Sequence, residues 1–297
     1  MKQEYKLHVQ LERNDIREEE KLAFIKNNPG INFEIPPMIF GEGRQSRVSA
    51  LEIIKDNAAT RVVWKRCGVE KQLTIEEAKS LCLRLLPYRE ILKKYGWDVP
   101  NIFYSEAISI KDENVIFSYE ELVNAADAER MFKDPETARF EKLAVIQKII
   151  YTLTNEAHQN LEQKIYFGQS FSQLPYGIDL KLANLILDTN GNLYFVDFFG
   201  PKELDENYNW KIYNPKLDYL PQENLALVCA TREGCILRML KLALLHIQNI
   251  EEIAIYINHF KEIIIYSSLP KKEKEFILNE LEKDFPLLKR VYEEQKV

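Results

Sequence analysis

The sequence has 297 residues, and its 46% hydrophobic side chains are enough to bury the core of one large or two small domains. Its formal net charge of -6 argues against a main role in binding nucleic acid or an anionic membrane, because such proteins concentrate basic residues on one face. The four cysteines form no CxxC pair, the N-terminus shows no apolar leader, and no apolar run approaches the roughly 20 residues that cross a bilayer, so we expect a reduced, cytoplasmic protein.

The sequence pattern of the first 120 residues predicts a charged N-terminal extension followed by a strand-rich lobe. Residues 1–30 end in Asn-Asn-Pro-Gly, a strong chain-breaking signal, and we treat them as an N-terminal extension. Residues 31–120 contain short apolar and β-branched runs, which are typical of strands. These runs are Met38–Phe40, Val48–Ile54, Arg61–Trp64, Ile102–Tyr104 and Val115–Tyr119.

One long helix is predicted among these strands, from Thr74 to Tyr95. Thr74 stands at the N-cap position, Glu77 completes a capping box three residues later, and Gly96 follows as a stop signal. Pro87 should kink or split the helix, because a proline removes one backbone hydrogen bond and clashes with the preceding turn. The strand-rich part is therefore expected to contain a single helical element.

After residue 120 the apolar periodicity becomes helical, and it is predicted to remain so to the end of the chain except at residues 185–200. The join between the two parts is short and shows no low-complexity linker. We therefore expect an α+β chain with a strand-rich N-lobe over residues 31–120 and a helical C-lobe over residues 121–297.

The segment from Gly177 to Gly200 carries the clearest chemical signal. It reads as a loop, a short strand, a tight turn, a second short strand and a loop, and Asn190-Gly191 favours a turn with positive φ. Such a hairpin brings its two flanking loops to the same end, so Asp179, Asn184 and Asp197 should converge. Two carboxylates and an amide oxygen suit Mg²⁺, and a carboxylate that does not bind the metal can accept a proton from a hydroxyl group.

The spacing of these residues resembles the protein-kinase-like superfamily, whose catalytic loop carries D-x-x-x-x-N and whose metal-binding aspartate opens a D-F-G-type turn. The resemblance implies that Asp179 is the catalytic residue, that Asn184 and Asp197 bind Mg²⁺, and that ATP is the phosphoryl donor. The alternative is that the three residues occupy surface turns by chance. The apolar strands around them and the aromatic residues after Asp197 favour the family pattern.

Three upstream segments extend the resemblance. Gly41 and Gly43 begin a run similar to the kinase glycine loop, with serine at its third glycine, and Lys65 stands where the family has the lysine that holds the α and β phosphates. Residues 115–122 resemble the strand and hinge whose backbone binds adenine, which implies a cofactor contact at Glu121. The plain alternatives are a hairpin, an exposed lysine at a strand end, and a buried strand that runs into a helix. The helix acid that would pair with the lysine is left open among Glu90, Glu77 and Glu76.

The chain departs from the family pattern at several positions within the roughly 36–250 span of the resemblance. Gly177 stands where the superfamily usually has histidine, and no arginine precedes Asp179. Phe199 follows Asp-Phe, so Gly200 comes one place late, which is similar to small-molecule kinases of the aminoglycoside and choline phosphotransferase type. No convincing A-P-E motif follows, and this argues against a regulated protein kinase.

These observations predict an ATP- and Mg²⁺-dependent phosphotransferase that acts on a hydroxyl of a small molecule, although a protein acceptor is also compatible with the resemblance. No nucleic-acid or membrane partner is expected. Two other hypotheses are a catalytically degraded pseudokinase that binds nucleotide or acts as a scaffold, suggested by Gly177 and the missing third glycine, and a nucleotidyl transferase on the same fold. The histidines have no metal-ligand spacing, which favours core or surface roles for His8, His158, His246 and His259.

Overall fold

The computed structural model describes residues 38–42, 46–55, 58–68, 71–110, 113–218, 220–247 and 249–293. Over these residues the chain is mixed α+β, with an antiparallel-sheet region and a helical part, and the α+β class predicted from the sequence is confirmed. The chain divides into two compact units. The first contains the described residues up to Leu86 together with Pro100–Leu122, and the second contains Pro87–Val99 together with the described residues from Val123 onwards.

The first unit is built on an antiparallel sheet, which in the described residues has five strands in the order β1-β2-β3-β5-β4. All five predicted strand runs lie within these strands. The strands are β1 (Met38–Glu42), β2 (Ser46–Lys55), β3 (Ala58–Cys67), β4 (Ile102–Ile110) and β5 (Glu113–Glu121). In the centre of the sheet, Lys65 of β3 lies opposite Ser118 of β5, so that Glu120 is its diagonal neighbour.

Helix α1 spans Ile75–Lys94, close to the predicted bounds. The predicted capping box is present, because Thr74 N donates to Glu77 Oε2 over 2.6 Å and Glu77 N donates to Thr74 Oγ1 over 3.1 Å. The predicted stop is also present, since Gly96 follows the helix with φ of +86°. The helix continues through Pro87, so the predicted split is wrong, and the alternative of a kink stays a prediction. The buried side chains on either side of the proline, including Tyr88, favour helical backbone enough to offset the lost hydrogen bond.

The second unit is mostly helical and is centred on helix α5 (Arg232–Leu245), which is buried along nearly its whole length. Apolar residues at three- and four-residue spacing and a threonine N-cap account for this helix. The described helices of this unit are α2 (Ala128–Lys133), α3 (Arg139–Thr154), α4 (Gln222–Ala230), α5 (Arg232–Leu245), α6 (Ile250–Tyr266), α7 (Lys271–Glu282) and α8 (Pro286–Glu293).

Two short hairpins interrupt these helices. Strands β8 (Leu185–Leu187) and β9 (Leu193–Phe195) form the predicted hairpin, and Gly191 in its turn has φ of +79°. The hairpin of β6 (Glu162–Tyr166) and β7 (Gln169–Gln173) contradicts the expectation of continuous helix before residue 185. Its strands have five residues each, which is too short for an alternating pattern to be distinguished from a helical one.

Candidate functional site

The loop that follows β7 places Asp179 between two cations. Asp179 Oδ2 lies 2.7 Å from Lys181 Nζ, and Asp179 Oδ1 lies 2.6 Å from Arg238 Nη1 on helix α5. Burial would raise the pKa of Asp179, but the cations of Arg238 and Lys181 outweigh it and hold this pKa well below its usual range. The side chain remains 22% exposed, so it is an ionised carboxylate that a solvent-borne molecule can reach.

Asn184 joins this loop to the segment that carries Asp197. The Asn184 Nδ2 donates to Asp179 O over 2.9 Å, and Val196 N donates to Asn184 O over 2.9 Å. Burial and, to a smaller extent, the charges of Cys229, Asp179 and Asp197 raise the pKa of Tyr88 well above its ordinary value. The structure therefore brings the three predicted residues into one region of the second unit.

The donor set at this region fits a hard cation. Because Asn184 uses its amide nitrogen to bond Asp179 O, its amide oxygen is the atom that a cation could bind. Asp197 supplies a carboxylate whose Oδ1 accepts from Phe199 N over 3.2 Å. Among the residues that the structure describes, no group of three or more His, Cys, Asp and Glu side chains could hold a metal ion. A site here would combine carboxylate and amide oxygens with oxygens of a ligand or water, as Mg²⁺ sites commonly do.

The turn after Asp197 is fixed by aromatic packing. Phe198 is buried and lies 6.2 Å from Phe195 between ring centroids, in an edge-to-face arrangement. Phe199 is also buried, and Gly200 has φ of +71°, which shows that the reversal falls one residue later than in a D-F-G turn. The carboxylate of Asp197 is thus presented from a turn whose two following side chains are anchored in the core.

The packing around Gly177 leaves no room for a side chain at this position. Tyr88 Oη donates to Gly177 O over 2.9 Å, and Gly177 N donates to Lys202 O over 2.7 Å. A Cβ atom at Gly177 would lie 2.5 Å from two atoms of the Trp210 ring and 2.8 Å from Lys202 Cβ. The indole therefore occupies the space that a side chain would need at this position.

Replacing Gly177 with Ala should lower the free energy of unfolding by about 1 to 3 kcal/mol, because the added methyl group overpacks the site. Combining it with Trp210→Leu should cost less than the sum of the two single changes, since leucine removes the atoms in contact. Urea denaturation of the four proteins measures this coupling. Strict additivity would contradict the packing explanation.

A buried hydrogen-bond chain supports the residue that precedes Gly177. Trp97 Nε1 donates to Tyr176 Oη over 2.7 Å, Tyr176 Oη lies 2.8 Å from His158 Nε2, and His158 Nδ1 lies 2.9 Å from Asn155 Oδ1. An amide oxygen can only accept, so Nδ1 carries the hydrogen and Nε2 accepts from the tyrosine hydroxyl. This arrangement requires a neutral imidazole and places His158 in the core, one of the two roles expected from the sequence.

The stability of the protein should fall as the pH is lowered through the range in which free histidine gains a proton. Burial and, to a lesser extent, Arg232 lower the pKa of His158 from 6.5 to about 4. The unfolded chain therefore binds a proton near pH 6.5, whereas the folded protein resists it until about pH 4. Neutral His158 makes its full contribution to the free energy of unfolding above pH 6.5, and this contribution decreases by about 2 to 3 kcal/mol towards pH 4.

Urea unfolding of the wild type and His158→Gln between pH 4 and 8 tests this expectation, because glutamine can hydrogen-bond but cannot titrate in that range. The difference in unfolding free energy between the two proteins should become smaller as the pH falls. A difference that is independent of pH would show that His158 is not the group responsible.

In the first unit, Lys65 is paired with a strand residue that the sequence reasoning missed. Lys65 Nζ lies 2.5 Å from Glu120 Oε2, and Ser118 Oγ donates to Glu120 Oε1 over 2.9 Å. Both charged side chains are buried. Of the helix acids considered, Glu77 caps α1, and the exposed Glu90 pairs with its neighbour Arg89 at 2.5 Å. The register of β3 and β5 supplies the acid observed beside Lys65.

The other residues predicted to contact the nucleotide are Gly41, Gly43 and Glu121, and the structure describes two of them. Gly41 lies in β1 opposite Val48, next to a shift in strand register, and Gly43 lies outside the described residues. Glu121 N donates to Asn101 O over 2.8 Å, and its carboxylate accepts from Asn101 Nδ2 over 2.7 Å. The backbone donor of Glu121 is therefore used within the sheet region and would have to be released before it could bind a base.

Comparison of the sequence with protein-family models and with curated proteins gives no match. In the parts of the chain that the structure describes, no helix combines the length and the apolar character needed to span a membrane. The function of the protein must be inferred from its own residues and their geometry.

Proposed function

We propose that the protein is an ATP- and Mg²⁺-dependent phosphotransferase with a two-lobed, protein-kinase-like fold, and that it phosphorylates a hydroxyl group of a small molecule. The observation that carries the proposal is the connection of Asp179, Asn184 and Asp197 through the Asn184 side chain and the Val196 amide. These residues have the order and types that the kinase-like superfamily uses for one catalytic carboxylate and two metal ligands.

Each residue has a defined task in this reaction. Asp179, kept ionised by its neighbouring cations, accepts a hydrogen bond from the acceptor hydroxyl and so orients its oxygen towards the γ-phosphorus. Asn184 and Asp197 would hold Mg²⁺, and Lys65 of the first unit would contact the nucleotide phosphates. When bound, Mg²⁺ supplies neutralisation of the charge on the phosphate oxygens. The hydroxyl oxygen forms the new bond to phosphorus, ADP departs with the electrons of the broken bond, and Asp179 takes the hydroxyl proton.

The low pKa of Asp179 suits orientation better than early proton removal. Phosphoryl transfer passes through a loose transition state in which the nucleophile needs alignment more than deprotonation. A carboxylate that stays ionised can accept the hydrogen bond at any physiological pH and receive the proton late in the reaction. The environment of Asp179 would make it a weak general base, but phosphoryl transfer through a loose transition state does not need a strong one.

One observation favours a second candidate, a pseudokinase that binds nucleotide without transferring phosphate. Both carboxylate oxygens of Asp179 are engaged by cations, and Lys65 is held by Glu120. In a degraded site these ion pairs would be permanent. In an active enzyme the half-exposed Lys181 and the buried Lys65 would exchange their carboxylate contacts for phosphate or acceptor contacts.

Thermal unfolding with ATP, Mg²⁺, both or neither distinguishes these candidates. A ligand present at 100 times its Kd adds about 2.7 kcal/mol of stability, so the proposed site should give a clear rise in Tm that requires both components. No rise would contradict nucleotide binding altogether. A screen of hydroxyl compounds by mass spectrometry follows, in which phosphorylation adds about 80 Da and adenylylation about 329 Da to the product. A rise in Tm without any product would favour the pseudokinase.

A further inference from the structure

Helix α5 supplies Asp179 with a charged partner that lies far from it in the sequence. Arg238 is almost completely buried, with a side-chain exposure of 2%, whereas Lys181 on the other carboxylate oxygen is 38% exposed. The two cations therefore differ in how easily they can move, because the guanidinium of Arg238 is enclosed by the core and the ammonium group of Lys181 borders solvent. Asp179 Oδ1 is buried and forms an ion pair, but no hydrogen bond, with the enclosed Arg238, whereas Oδ2 is paired with Lys181.

The position of Arg238 is fixed by the corner between α4 and α5. Its Nη1 donates to Cys229 Sγ over 3.2 Å, and the carbonyl oxygen of the same cysteine accepts from Ile178 N over 2.6 Å. One residue of the corner thus contacts both the guanidinium and the backbone next to Asp179. Thr231 caps α5 through a bond from Gly234 N over 3.1 Å, which sets where the helix begins.

We propose that Arg238 is the positioning residue for Asp179, holding Oδ1 from within the core so that Oδ2 is the oxygen presented to the acceptor hydroxyl. This inference rests on the proposed phosphotransferase function. In the kinase pattern a histidine and an arginine stand close to the catalytic aspartate, but this chain has Gly177 in place of the histidine and no arginine before Asp179. Arg238 would take over the support of Asp179 from helix α5. Lys181 yields Oδ2 when the acceptor binds, because its half-exposed side chain can move into solvent.

A second buried arginine of the same helix provides a matched control. Arg232 is paired with Glu273 through Nε at 2.8 Å and Nη2 at 2.5 Å, and it donates from Nη1 to His158 O over 3.2 Å. Arg232 and Arg238 are therefore both buried, both ion-paired and both in α5, but only Arg238 is paired with Asp179 in this structure. A purely structural contribution of buried arginines in α5 should appear in variants of either residue.

The test compares Arg238→Lys, Arg238→Met and Arg232→Lys with the wild type. ADP release from Mg²⁺-ATP is followed with the acceptor found in the screen, kcat is expressed per folded molecule, and Tm is recorded for each variant. We expect Arg238→Met to lower kcat by about a hundredfold and Arg238→Lys by about tenfold, because lysine restores the charge without the planar guanidinium geometry. The KM for ATP should stay within about twofold, since Arg238 acts on the acceptor side of the reaction. Arg232→Lys should leave kcat and KM within about twofold of the wild type.

Retained kcat in both Arg238 variants, or an equal loss in Arg232→Lys, would overturn the inference while leaving the phosphotransferase function intact. If the wild type transfers no phosphate to any acceptor, the proposed function fails and the positioning role fails with it. Should Arg238→Met not fold, the two lysine variants still decide between a positioning role and a structural one, because both conserve charge at a buried site.

Discussion

Asp197→Asn should abolish phosphoryl transfer, lowering turnover by about a thousandfold or more, while changing the free energy of unfolding by less than about 1 kcal/mol. The substitution removes the negative charge that would bind Mg²⁺ but leaves an oxygen that can accept from Phe199 N, the contact that fixes the turn. The loss should therefore be chemical and not structural. ADP release and urea unfolding, measured on the same preparation, separate the two effects.

Asp188→Asn is a suitable control because it removes a carboxylate from the same hairpin. Asp188 Oδ1 accepts from Asn190 N over 2.9 Å and from Asn192 N over 2.7 Å, so its replacement should lower the stability only slightly, with little loss of turnover. The rise in Tm caused by Mg²⁺ and ATP should persist in Asp188→Asn and disappear in Asp197→Asn. Turnover that survives in Asp197→Asn would rule out the metal role of this residue.

Gly234→Ala should be among the most destabilising single substitutions in the second unit, lowering the free energy of unfolding by about 3 kcal/mol or more. A Cβ atom there would lie 1.9 Å from Leu227 O and 2.7 Å from Thr231 Oγ1. The nearer obstacle is backbone and cannot rotate away, so α4 and α5 would have to move apart. Because their corner carries Cys229, catalytic activity should fall even in the fraction that folds.

Gly168→Ala is the control for Gly234→Ala, because it adds a methyl group that meets no neighbouring atom. Gly168 has φ of +75° in the β6–β7 turn, and a Cβ atom there would meet no other atom within 4 Å, so only the backbone preference of about 1 kcal/mol should be lost. Urea denaturation of both variants gives the comparison. Equal losses in Gly168→Ala and Gly234→Ala would contradict the close approach of α5 to Leu227 as the cause.

Local signals in the sequence predicted the elements whose structure is determined locally. The capping box at Thr74 and Glu77, the stop at Gly96 and the hairpin turn at Gly191 each depend on residues a few positions apart, and the structure contains all of them. The spacing of Asp179 and Asn184 is local in the same sense, since a single loop brings the amide of one to the carbonyl of the other.

The contacts that the sequence could not predict depend on register and on helix packing. Glu120 reaches Lys65 because of the alignment of two strands that are separated by a helix and another strand, and Arg238 reaches Asp179 because of the direction in which α5 packs. Neither residue belongs to a motif. Glu120 did carry a weak signal, as an acid at the end of an apolar strand, and a buried acid requires a partner.

The packing of Trp210 on Gly177 gives the protein an optical probe of the loop that contains Gly177 and Asp179. The chain has three tryptophans, and Trp64 and Trp97 are 3% exposed, whereas Trp210 is only partly buried. Iodide or acrylamide in the solvent will therefore quench the Trp210 fluorescence before that of the other two. Movement of the loop at Gly177 will change the emission of this indole, so occupancy of the site can be followed in real time without a label.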